Sequence, residues 1–197
     1  MLGMWTFLIT EVLFFGGMFT AYAIYRSVYH DAFASTSRYM DVILGGTNTA
    51  VLICSSLSMA MAVRSAQLSR RKPLIVSLLL TIAFGTAFLV IKAFEYHNKW
   101  VEGLVPGLHF DVSRYEVPQY AHEAQILFFL YFAMTGMHAL HMVIGFGLLS
   151  YLLFKAYKNT YSAAYYTPVE MIGLYWHFVD VVWIFLFPLL YLIGHRQ

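Results

Sequence analysis

Trp176, His177, Asp180 and Trp183 place an imidazole, a carboxylate and two indoles inside a segment otherwise apolar enough to cross a bilayer. An ionised carboxylate at membrane depth costs about 2.5–3.5 kcal/mol on insertion scales, so Asp180 must face protein or trapped water. Trp176, Asp180 and Trp183 stand at i, i+4 and i+7, and His177 lies one turn from Asp180, so one helix face carries the set. An imidazole donating to the carboxylate would satisfy both groups, and the two indole N–H groups need partners of their own. A polar cluster at a subunit interface is the favoured reading over a metal site.

Three further groups carry chemistry-bearing residue types. Glu11 stands about nine residues into the first apolar run, near mid-depth at a rise of about 1.5 Å per residue. It reads equally as a proton-handling carboxylate or as a protonated acid bonded to a neighbouring helix. His138 and His141, at i and i+3, could in principle share a metal. They suit a transverse haem poorly, because axial ligands come from opposite sides. Hydrogen bonding between helices is the favoured reading. Lys92 and Glu95, also at i and i+3, suit a structural ion pair better than a catalytic one, with snorkelling or a phospholipid headgroup contact as further readings.

The elements that must position these groups are membrane helices. The chain has 197 residues, 60% hydrophobic and 11% charged, with a mean hydropathy of +0.67. A soluble domain carries roughly 25% charged residues. Five apolar runs, at 2–25, 42–66, 73–96, 124–154 and 168–193, are long enough to cross about 30 Å of hydrocarbon. The fold class is therefore an all-α, polytopic membrane bundle of five transmembrane helices, read as one membrane domain over 1–197. The first run lacks a basic flank and is interrupted by Glu11, so it reads as a retained span rather than a signal peptide. Thr167, Pro168 and Glu170 suggest a capping box for the last helix, and Pro73 marks the start of the third. Cys54, the single cysteine, reads as packing. Gly16, Gly17, Gly145 and Gly147 suggest close helix contacts. Many aromatics sit at span ends, Tyr191 among them, and read as interfacial anchors.

Basic residues divide equally between the two sides. Arg64, Arg70, Arg71, Lys72, Lys155 and Lys158 are concentrated in short loops with almost no acid. That density places the N-terminus in the cytoplasm and the C-terminus outside. There is no Walker loop, no G-x-G-x-x-G, no cysteine ligand set and no G-x-S-x-G, and nothing suggests a nucleic-acid partner.

Four stretches together resemble subunit III of the haem–copper terminal oxidases: Ile9 to Phe15, Lys92 to Tyr96, Thr135 to His141 with Gly145, and Tyr175 to Trp183. The resemblance covers essentially the whole chain. It implies a subunit without catalytic, haem or metal residues of its own, haem and copper being expected in partner subunits. It implies packing on subunit I, neighbourhood with other subunits including subunit II, bound phospholipids, and support for proton uptake and durability of the catalytic subunit. A larger respiratory supercomplex is a further implied setting. Glu11 matches the family's helix glutamate facing subunit I, His138 and His141 its paired histidines, and His177 and Asp180 the polar pair of its last helix. Lys92 and Glu95 fall in its Glu-Tyr segment. Longer members have seven spans, and the match begins at their third. The chain looks like the five-span variety of bacterial cytoplasmic membranes. Subunit III of a quinol oxidase or of a nitric oxide reductase-like complex is the alternative, and a haem-binding membrane cytochrome a more distant one.

Overall fold

A computed structural model describes residues 2–37, 40–107 and 120–192. The loop at 108–119, which carries Asp111, Arg114 and Glu116, lies outside the described residues, as do Arg38, Tyr39 and residues 193–197. Among the described residues there are six helices: α1 Leu2–Val28, α2 His30–Ser37, α3 Val42–Gln67, α4 Arg71–Val101, α5 Ala121–Tyr157 and α6 Thr167–Tyr191. All but α2 are long and apolar enough to cross a membrane. The short α2 is not apparent from hydropathy. It is only eight residues long and buries Ala32, Phe33, Thr36 and Ser37 while exposing its other face.

The helices overshoot the apolar runs because nothing polar in the flanks breaks a backbone ladder. The 37 residues of α5 extend about 55 Å, well beyond the hydrocarbon. Three ends are closed by the same device. Ser69, Gly103 and Asn159 take positive φ of 54°, 72° and 56°. The N–H groups of Arg70, Leu104 and Thr160 then reach back to the carbonyls of Ser65, Lys99 and Lys155. This is the Schellman closure, which satisfies carbonyls that the helix leaves unpaired. The expected capping box is corrected. Tyr166 holds the N-cap position of α6, Pro168 lies within the first turn, and no side chain caps the helix. Asp41 does cap α3, accepting from Ile43 and Leu44 N–H at 2.9 and 3.0 Å.

α3 and α4 form an antiparallel hairpin with a seam of small residues. Ser58 and Thr81 hydroxyls meet at 2.8 Å across it. Small polar side chains let backbones approach closely where lipid supplies no hydrophobic drive. α6 lies innermost, with 50% of its most apolar stretch buried against 11% for α1. Trp176 is fully buried there, and glycines make room for it. A Cβ at Gly145 would stand 2.7 Å from its ring, and one at Gly85 3.1 Å. Gly16, Gly17 and Gly147 face open space, so close packing holds for only part of the expected set. α1 sits at the bundle edge against α2, α5 and α6, fixed to α6 by the Tyr22 hydroxyl donating to the Leu189 carbonyl at 2.7 Å.

The two short basic loops share one end of the bundle. Ala163 N–H donates to Ser69 Oγ at 2.7 Å, and the Arg71 guanidinium reaches the Tyr157 carbonyl. Cys54 is exposed on the outer side of α3 rather than packed.

Candidate functional site

The polar residues inside the spans form three groups, each joining different helices. In the first, His141 Nε2 on α5 lies 3.1 Å from Glu11 Oε2 on α1. The other ring nitrogen faces the Met137 carbonyl at 2.8 Å, and a carbonyl can only accept, so Nδ1 carries a proton. The His141 carbonyl in turn accepts from the Tyr175 hydroxyl at 2.9 Å, and Phe15 packs on the ring at 5.3 Å. The Glu11 side chain is 18% exposed and that of His141 9%. Glu11 therefore spends its carboxylate on a helix of its own chain.

The second group is the most deeply buried. Lys92 Nζ donates to Glu95 Oε2 at 2.9 Å, to Tyr131 Oη at 3.0 Å and to Tyr191 Oη at 2.9 Å. Both phenols also donate to Glu95 Oε1, at 2.8 and 2.6 Å. The ammonium thus uses three donors on three oxygens, and both carboxylate oxygens are engaged. Lys92 and Glu95 are 4% and 2% exposed, so neither snorkels. Tyr96, Tyr131, Trp183 and Tyr191 surround the cation at 5.0–5.6 Å from their ring centres. One ion pair on α4 thereby ties α5 and α6 to it. Tyr131 and Tyr191 complete this group, and hydropathy had marked neither. Tyr191, expected as an interfacial anchor, is fully buried. Its i+8 spacing from Trp183 on an inward stripe was the only available signal.

The third group corrects the expected His177–Asp180 bond. His177 Nδ1 lies 2.7 Å from Ser56 Oγ on α3, because α3 offers a hydroxyl where Asp180 is only a neighbour along the same helix. Both Asp180 oxygens lack a hydrogen-bond partner among the described residues, and the residue is 2% exposed. The indoles do find partners on α3: Trp176 Nε1 donates to Ser55 Oγ at 3.0 Å and Trp183 Nε1 to Thr49 Oγ1 at 3.1 Å.

His138 is corrected as well. Among the described residues it finds no hydrogen-bond partner for either nitrogen, and instead packs edge-on against Phe88 at 5.4 Å and beside Trp183 at 5.2 Å. The two histidines of α5 therefore diverge: His141 turns to α1 and His138 to α4 and α6. Among the described residues no three His, Cys, Asp or Glu side chains converge as a metal site would require.

This arrangement ties helices of the chain to one another. The family model described as cytochrome c oxidase subunit III matches residues 108–195. Cytochrome c oxidase subunit 3 of Raphicerus melanotis and that of Madoqua guentheri are each 32% identical over 96% of this chain and 67% of their own length. The subunit 3 of Tragelaphus oryx is 31% identical over the same shares. With five candidate spans that fit the bacterial variety, the chain belongs to the cytochrome c oxidase subunit III family of the haem–copper oxidases.

Proposed function

We propose that this chain is a single membrane domain that serves as the supporting subunit of a terminal oxidase in a bacterial cytoplasmic membrane. It packs on subunit I, neighbours other subunits including subunit II, binds phospholipid, and sustains proton uptake by the catalytic subunit. Haem and copper belong to the partners. The observation that carries this reading is the use made of buried ionisable groups. Lys92 and Glu95 are saturated by each other and by two phenols, and Glu11 is engaged by His141. Groups tied in this way fix helices to one another. Glu11, His138, His141, His177 and Asp180 are read as the buried polar framework, and Lys92 and Glu95 as the interhelical contact. The charge of the two basic loops, which share one bundle end, supports an orientation with that end and the N-terminus in the cytoplasm.

The test is removal and return. An oxidase stripped of this chain should begin turnover normally and then inactivate faster, and readdition should restore its endurance. Unchanged endurance on removal would contradict the supporting role.

A further inference from the structure

The outer side of the α3–α6 contact holds a groove of about 430 Å³. Its walls are apolar, with Ile53, Leu57 and Ile184 exposed along the rim at 54%, 64% and 45%. Ser56, His177 and Asp180 are the polar members of its lining. Ser56 and His177 satisfy one another at 2.7 Å. Ser56 also interacts with Asp180, but its single hydroxyl is shared with His177, and no hydrogen bond of full geometry reaches either carboxylate oxygen among the described residues. A buried polar group without a partner costs about 1–3 kcal/mol and is rare in folded proteins. In hydrocarbon the alternative of solvation by water is removed.

Asp180 stands near the middle of α6, at bilayer mid-depth. Lipid headgroups and solutes from either aqueous phase do not reach that level, and acyl chains carry no donor. Apolar walls and one under-satisfied acceptor are together complementary to an apolar helix with one hydrogen-bond donor at mid-depth. We propose that the α3–α6 groove seats a transmembrane helix of a partner subunit, and that a side-chain N–H or O–H on that helix donates to Asp180. Asp180 is one of the residues lining the groove, and its carboxyl is covered in the chain alone, so the donor meets it as the side chain turns toward the groove. The proposal rests on the reading of the chain as a subunit of a larger complex and adds the seat and the chemistry of the contact.

The test is site-directed photo-cross-linking in the intact complex, with benzoylphenylalanine at Ile53 on the groove rim and at Val143, exposed on α5, for comparison. The expected result is a protein adduct from Ile53 with a different membrane subunit. Asp180→Leu should lower its yield about tenfold, the loss expected for one hydrogen bond to a carboxylate, while Asp180→Asn, which keeps an acceptor oxygen, should retain most of it. Ala60→Phe narrows the groove while leaving Asp180 in the sequence, so it should abolish the adduct in a folded chain. Adducts from Ile53 with lipid alone or with a second copy of this chain, or equal yields in wild type and both Asp180→Leu and Ala60→Phe, would overturn the proposal. If the complex co-purifies and Ile53 still labels only lipid, the groove assignment falls and the function stands. If no partner co-purifies, both fall.

Discussion

At the scale of the residue, what matters is whether each buried polar atom has a partner. Glu11 has one in His141 at 3.1 Å. Glu11→Gln should therefore keep the fold, since the amide N–H can donate to the Nε2 lone pair that a neutral His141 presents when Nδ1 carries the proton. Glu11→Ala strands the ring nitrogen and should cost about 1–3 kcal/mol, read as a lower midpoint in detergent-denaturation curves. Equal midpoints for the two variants would show that the bond is not made. Tyr161, in the loop between α5 and α6, is the opposite case. Its hydroxyl is buried without a hydrogen-bond partner among the described residues, and burial, with Tyr151 and Tyr165 nearby, pushes the phenol up to about 12. The folded chain then holds that proton more tightly than the unfolded chain, whose phenol has the ordinary value of 10.0. Stability should fall as pH rises from 10 through 12. Tyr161→Phe should flatten that fall and raise stability by about 1 kcal/mol below it, as thermal midpoints across the alkaline range would record.

At the scale of the element, the Lys92–Glu95 group and the Trp176 seat do the fastening. Lys92→Met leaves a carboxylate buried with two phenols, and should cost about 3–5 kcal/mol. The double variant Lys92→Met, Glu95→Gln removes both charges and should cost less than Lys92→Met alone, which a double-mutant cycle in detergent would measure. Gly145→Ala drives a Cβ to 2.7 Å from the Trp176 ring and should cost about 1–3 kcal/mol, because an indole between two helices has nowhere to move. Gly147→Ala meets open space and should be neutral in the same assay. These contrasts also explain what was legible in the sequence. Five spans were plain because a run of apolar residues has one meaning in a chain this hydrophobic. The ion pair was plain because i, i+3 spacing on a helix is local. The partners of Glu11 and Lys92 were not, since His141 is 130 positions from Glu11 and Tyr191 99 from Lys92. Packing of one helix on another decides such contacts, and no local period encodes them. The divergence of His138 from His141, and the capture of His177 by Ser56 in place of Asp180, failed to show for the same reason. α2 was missed because its eight residues are too few to display a period.

At the scale of the whole molecule, Lys92, Glu95 and Glu11 are engaged within the chain while much of the exterior is apolar. α1 is buried over only 11% of its most apolar stretch, and Leu2, Ile9, Val12 and Leu13 are 57–84% exposed on it. Lipid covers part of such a surface, and the supporting role requires a partner on the rest. The chain's membership in the oxidase subunit III family says where that partner is found. The central claim, that this chain fastens helices and the redox chemistry lies in its partners, is tested most directly by affinity purification through a tag on this chain. The isolate should be analysed by intact mass spectrometry together with its visible spectrum. The account predicts an equimolar haem–copper subunit I, with every haem and copper assigned to partner chains. A chain that purifies alone and carries a stoichiometric Soret band would contradict it.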